Sequence, residues 1–266
     1  MRVISFVNLK GGVAKTTSVI NTAAILARIH SKRVLVVDAD SQCNTTDFLG
    51  VDNDDFFTLA EMLLEPPGPE CFPLQCIHKS ELQGVAVIPA SDRLMDLDLT
   101  KVSEQKVYPR CLDDLRIVLE NTLDPVTCAP DYMLIDCPPA FNAASTAALM
   151  ASDEVVIPIK LDAFSLRGMA NLSRQIANMR EINPRSRLAG LLPTMWYRGE
   201  PIRQAEEMLR KSGLPVFSHI RRTPKVDAMT FDGRPLLESS PQCAAQRDYL
   251  RFVDELMKGG EQNGRV

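Results

Sequence analysis

The chain has 266 residues, 45% of them apolar and 24% charged, with a net charge of −4. Those proportions fit a globular protein, and no apolar run reaches the 18 residues that a membrane span requires. Seven cysteines form neither a CxxC pair nor a close Cys/His cluster, which argues for reduced thiols in the cytoplasm.

The opening MRVISFV has one basic residue and runs directly into a glycine turn, so it reads as a core strand and not as a signal peptide. Val3, Ile4, Phe6 and Val7 are the apolar positions of that strand. Lys10, Gly11, Gly12, Val13 and Ala14 form the turn, and Lys15, Thr16 and Thr17 begin a helical pattern that continues through Val19, Ala23, Leu26 and Ala27. A strand, a tight turn and a helix N-terminus make a cradle for phosphate, because backbone N–H groups converge where the helix dipole is positive. Lys15 can reach the β- and γ-phosphates of a nucleotide, and the Thr16 hydroxyl can ligate Mg²⁺. The strict pattern GxxxxGK[ST] is not met, since Leu9 and Ala14 stand where its two glycines belong. At Ala14 the loop is expected to need a backbone angle that alanine can adopt.

KGGVAKTT, with its second lysine at Lys10, resembles the deviant Walker A motif of the ParA/MinD superfamily of P-loop ATPases. The resemblance implies ATP and Mg²⁺ as cofactors, contacts from residues 10–17, and a Lys10 that reaches across a dimer interface to the partner's nucleotide.

The run RVLVVDAD (33–40) is a second buried strand that ends in two carboxylates. Strand, helix and strand within 40 residues make a right-handed βαβ unit, with the carboxylates at the edge where open α/β sheets bind ligands. DADSQCN is similar to the superfamily's switch I segment. The likeness makes Asp40 the residue that orients the attacking water, places Asp38 near the Mg²⁺ shell, and assigns Gln42 and Asn44 to a nucleotide-sensing loop. Residues 47–84 are the least readable, beyond a short helix at LAEMLL (59–64) and a loop at EPPGPE (65–70). GVAVIPAS (84–91) is a strand, and a helix starts near Pro109 with Leu112, Leu115, Val118 and Leu119 on one face.

DYMLIDCPPAF (131–141) is a strand stopped by prolines and ending in Asp136, a Walker B arrangement in which Asp136 would hold Mg²⁺ through a water. Its "D.PP" block matches the superfamily; Cys137 reads as a buried bystander. A strand and loop (154–168), a helix (169–182), a strand (187–195), a helix (201–212), a strand with an adenine loop (214–223) and a final helix (242–258) follow. By resemblance Thr194 and Met195 lie near the base, as does Arg221, which takes the position of a family proline.

The expected architecture is α/β, a mostly parallel twisted sheet with helices on both faces, in one domain over 1–266. Residues 1–160 carry 13 Lys and Arg against 22 Asp and Glu, and residues 161–266 carry 17 against 12. A basic C-terminal half can form a face for a polyanion, although ordinary solvated charge is the simpler account of the totals alone. The resemblance implies an ATP-dependent homodimer that binds DNA nonspecifically, is stimulated by a ParB-like centromere-binding protein, and partitions plasmid or chromosome at the nucleoid. Candidate DNA contacts are Arg198, Arg203, Lys211, Arg222 and Lys225, with Arg180, Arg185, Arg187, Arg210 and Arg221 also basic in this half. A MinD-like cell-positioning ATPase, acting on a protein partner or at a membrane, is the alternative. At a membrane it would need a basic amphipathic C-terminal helix, and DELMKGGEQNGRV is poor membrane material. The cysteines are not placed to hold a cluster like that of the nitrogenase iron protein.

Overall fold

The computed structural model describes residues 1–51, 57–64, 73–97, 104, 107–122, 129–162, 177 and 180–261. A seven-stranded sheet organises them: β1 (Arg2–Phe6), β2 (Val34–Asp38), β3 (His78–Lys79), β4 (Val85–Ile88), β5 (Tyr132–Asp136), β6 (Glu154–Lys160) and β7 (Arg187–Thr194). Their order is β3-β4-β2-β5-β1-β6-β7, and every pairing is parallel except β3 with β4. From β1 the chain crosses to β2 on one side, while β6 and β7 lie on the other. The carboxyl end of β1 is therefore the switch point at which open sheets form a ligand crevice.

Both faces of the sheet are covered, which explains why its strands read as apolar runs and not as alternating ones. Ile4, Val34, Val36 and Leu134 pack under helix α1 (Lys15–Arg28) and the C-terminal helix; Val3, Leu35, Val37, Met133 and Ile135 face the opposite layer. That layer comprises α3 (Leu59–Leu64), α4 (Cys111–Thr122) and α5 (Ala143–Ala151), the last opened by a reciprocal Asn142–Ser145 cap. Short α2 (Asn44–Phe48) lies between β2 and α3 in the chain. A third cluster joins β6 and β7 to α6 (Glu200–Arg210) through Ile157, Leu191, Ile202 and Leu209. Truncating a fully buried side chain such as Leu134 to alanine costs about 2–5 kcal/mol.

The chain closes with α7 (Pro224–Asp232), α8 (Leu236–Ser239) and α9 (Ala244–Glu261). Tyr249, Phe252, Val253 and Leu256 of α9 are buried in the α1 layer, so the apolar stripe of that helix packs on the core as its spacing implies. Arg2 anchors its far end by donating to the Leu256 carbonyl while holding the buried Glu154 through two bonds.

One expectation needs correction. Residues 214–223 form no strand; they meet β7 and the residues just past it through isolated bridges, Leu191 with Val216 and Trp196 with Arg221, and through the Ile220 N–H on the Pro193 carbonyl (2.8 Å). The two-residue edge strand β3, at the end of the stretch least readable in sequence, is too short for a periodic signal. Most of the helix expected over 169–182, and loop residues 163–168, lie outside the described residues.

Candidate functional site: a phosphate cradle and an adjoining cavity

Parity along the strands aims the carboxylates. Asp38 shares its side of the sheet with Val34 and Val36, and Asp136 shares it with Leu134, so both project toward the layer that carries α1. The two residues are register partners across β2 and β5, and Phe6 of β1 is the partner of Asp136 on the other side. Three strand ends and the head of α1 thus meet at one edge.

The loop between β1 and α1 folds back over that edge. Asn8 is buried and fixes the start of the loop: its Nδ2 donates to the Pro158 carbonyl (2.7 Å), and its Oδ1 accepts from the Lys10 N–H (2.9 Å). Gly12 has φ 67°, and Ala14 has φ 65° and ψ 37°. Alanine does adopt the angle that the loop demands, but that angle is left-handed and costs an L-residue roughly 1–2 kcal/mol. Helix α1 begins without a side-chain cap and without an acidic residue in its first turn, leaving its positive end uncompensated by its own sequence. Lys15 is buried at this end, with Nζ 3.2 Å from the Asn8 carbonyl.

Asp136 collects hydroxyls. Thr16 Oγ1 and Thr45 Oγ1 donate to its Oδ2 at 2.6 and 2.7 Å, while its buried Oδ1 has no hydrogen-bond partner among the described residues. Burial pushes the Asp136 carboxyl up, and the two hydroxyls and Lys15 hold it down. Asp38, expected near a metal, is hydrogen-bonded through both oxygens. Its Oδ2 accepts from the Thr46 N–H and hydroxyl (2.9 and 2.8 Å), and its Oδ1 accepts from the Asp40 N–H (3.1 Å). Burial pushes Asp38 up, and the neighbouring charge of Asp136 pushes it further. Asp38 therefore ties the segment after β2 to the strand edge. Asp40 lies beyond it at the surface of the cleft and accepts from the Gln42 N–H through Oδ1 (3.1 Å). Gln42 and Asn44 are exposed; Thr45 and Thr46 are the residues of this segment that reach the carboxylates.

Lys10 stands at the rim, with its side chain 41% exposed and its Nζ 2.7 Å from Asp162 just beyond β6. Gly11 beside it is also exposed, whereas Val13 is buried.

From Ala14 and Thr17 a cavity of about 460 Å³ runs past Thr194, Met195 and Tyr197 to residues 220–223, Thr230, Phe231 and Tyr249. Met195 has φ 53°, turning the chain sharply after β7 so that Met195 and Tyr197 line the cavity. The Thr194 hydroxyl is already committed, donating to the Val13 carbonyl (3.0 Å). Arg221 lines the cavity, but its guanidinium donates twice to Asp248 (both 2.7 Å) and its N–H donates to the same carboxylate (3.0 Å). These bonds brace the cavity wall against α9. Phe231, which sequence reasoning passed over, is 91% exposed at the cavity mouth.

The basic residues separate into two groups. Arg203 pairs with Glu200, and Lys211 pairs with Glu207 (2.6 Å), each one turn away along or just past α6, so their charges are balanced locally. Arg187 and Arg210 are paired with Glu154 and Glu206. Arg198, Arg222 and Lys225 are exposed, and Arg222 lies in the cavity wall. The five described cysteines are free thiols; Cys137 is fully buried, and burial pushes its thiol well up.

The profile of a family described as an AAA domain matches residues 1–188. The sequence is 32% identical to the chromosome partitioning protein ParA of Caulobacter vibrioides, over 97% of this chain and 94% of that protein. It is 29% identical to the sporulation initiation inhibitor protein Soj of Bacillus subtilis, over 97% and 99%. Among solved structures, the cobyrinic acid a,c-diamide synthase of Mycobacterium smegmatis with bound ADP and magnesium superposes with a TM-score of 0.79 at 26% identity, over 99% of this chain and 96% of that one. Likeness of this extent to ParA, together with the loop and strand-edge geometry, places the chain in the ParA/MinD-type family of P-loop ATPases.

Proposed function

We propose that the chain hydrolyses ATP to ADP and phosphate, dimerises in the ATP state, and in that state binds DNA nonspecifically to partition a plasmid or chromosome. The observation that carries this reading is the division of labour between two lysines. Lys15 is buried at the head of α1, where it can serve the chain's own nucleotide. Lys10 is at the exposed rim, where a second molecule can bring another nucleotide to it. The full-length likeness to a chromosome partitioning protein supports the cargo.

In this reading the N–H groups of residues 11–17 and Lys15 bind the phosphates, and the adjoining cavity takes the nucleoside. Asp40 orients the attacking water. The orphaned Oδ1 of Asp136 beside the Thr16 hydroxyl fits Mg²⁺, since one carboxylate and one hydroxyl suit an ion that keeps waters and phosphate oxygens in its shell. Among the described residues no cluster of three acidic, Cys or His groups offers an all-protein cage. When bound, Mg²⁺ supplies charge neutralisation across the β- and γ-phosphates. Lys10 exchanges Asp162 for the partner's phosphates; an exposed ion pair is worth only about 0–1 kcal/mol, so the exchange costs little. Lys10 then completes the charge stabilisation of transfer in the partner, which couples hydrolysis to dimerisation. A ParB-like protein accelerates the step. Arg198, Arg222 and Lys225 contact DNA phosphates, and Arg203 and Lys211 contribute less because their glutamates remain beside them.

No helix among the described residues is long and apolar enough to cross a membrane, and the apolar stripe of α9 is occupied by the core. The test is DNA binding with ATP, with ADP and without nucleotide, across a salt series, for wild type, Lys10→Ala and Asp40→Ala. Binding restricted to ATP, lost in Lys10→Ala, retained in Asp40→Ala and falling steeply with salt supports the proposal. Binding in no nucleotide state contradicts it.

A further inference from the structure

The left-handed Ala14 raises a physical question: what keeps an L-residue in that basin at the centre of a phosphate loop? The dihedral φ of Ala14 turns the peptide plane that carries the Val13 carbonyl, and ψ turns the plane that carries the Ala14 carbonyl. Both carbonyls are held by side-chain hydroxyls from outside the loop. Thr194 Oγ1 donates to the Val13 carbonyl (3.0 Å). Ser18 Oγ donates to the Ala14 carbonyl (2.7 Å), which also accepts the Ser18 N–H (3.0 Å). Ser18 Oγ has only one proton, and it is already given to Ala14. The 3.2 Å contact with the fully buried Tyr249 hydroxyl must therefore be donated by Tyr249. A relay results, from Tyr249 on α9 to Ser18 on α1 to the Ala14 carbonyl.

We propose that Thr194 and Tyr249 are positioning residues that lock the phosphate loop in its binding conformation, doing for this chain what a glycine at position 14 would otherwise make unnecessary. In a trans peptide the N–H points opposite to the C=O. Tying the Val13 carbonyl to Thr194 turns the Ala14 N–H away from β7, and drawing the Ala14 carbonyl into α1 turns the Lys15 N–H out of the helix end into the loop. Without the straps, alanine would relax toward negative φ and rotate both donors out of place. Glycine populates both basins about equally, so a glycine loop would need the straps far less. Thr194 and Tyr249 also line the nucleoside cavity, so the same two side chains connect its wall to the phosphate donors.

The inference rests on the phosphate-loop reading above, and a double-mutant cycle separates the two. MgATP affinity and thermal midpoint are measured for wild type, Tyr249→Phe, Ala14→Gly and the double variant. Absence of ATP binding in wild type defeats the phosphate-loop reading itself. Given wild-type binding, Tyr249→Phe is expected to weaken affinity about fivefold to tenfold in the alanine background. In the glycine background the same change should cost less than about twofold. Thr194→Val should show the same pattern, and it carries the test should Tyr249→Phe fail to fold. A ring or hydroxyl with only a structural role would lower the thermal midpoint without rescue by glycine. Equal penalties in both backgrounds, or no affinity penalty, would overturn the proposal.

Discussion

At the carboxyl edge of β1, β2 and β5 the groups come from short contiguous runs: residues 8–17, 38–46 and 136. The cavity wall beside them is assembled from the end of β7, the segment 220–223, α7 and one residue of α9. The first region positions charge through backbone geometry and strand register, so its chemistry follows from local sequence. The second positions apolar and cationic side chains through contacts across more than 200 residues of chain, such as Tyr249 with Ser18. The two regions meet where Tyr249 contacts Ser18 and where Thr194 donates to the Val13 carbonyl.

If the wall acts only by bracing, Asp248 is its most sensitive point. Asp248 is 2% exposed in its side chain and is the acceptor of three bonds from Arg221. Asp248→Ala should lower stability by about 2 kcal/mol, since bonds to a charged group are worth roughly 1.5–3 kcal/mol. It should raise KM for ATP while leaving kcat within about twofold, the pattern for lost uniform binding. A matching fall in kcat would show that the wall does more than brace. A smaller effect probes the basic surface. If the chain binds DNA as proposed, Arg198→Ala should reduce the salt slope of that binding by about one phosphate contact, and Arg203→Ala by less, because Glu200 already balances Arg203. Equal slopes would show that the local ion pairs do not decide which cations meet DNA.

Legibility in the sequence follows the same division. The strand, turn and helix that carry Lys15 and Thr16, and the strand that ends in Asp136, were legible because their signals fall in register within a few residues; the part given to Asp40 came from the resemblance. Thr45 and Thr46 were hidden behind the more conspicuous Gln42 and Asn44, although two threonines one turn past a strand-end Asp pair are a usable signal for hydroxyl donors. Asn8, Asp162 and the Tyr249–Ser18 relay depend on tertiary approach and leave no local pattern. Arg221 was placed near the base by resemblance, and nothing nearby in sequence shows that Asp248, 27 residues on, takes its guanidinium. The edge strand β3 and the isolated bridges of 214–223 are too short for periodicity to register.

The central claim is that the orphaned oxygen of Asp136 and the buried Lys15 make a Mg²⁺–ATP phosphate site. Calorimetric titration of ATP with and without Mg²⁺ into wild type, Asp136→Asn and Lys15→Ala tests it most directly. Wild type should bind more tightly with Mg²⁺, and Asp136→Asn should lose that increment. Lys15→Ala should lose about 3 kcal/mol, roughly a hundredfold, in either condition. An undiminished Mg²⁺ increment in Asp136→Asn, together with wild-type affinity in Lys15→Ala, would contradict the account.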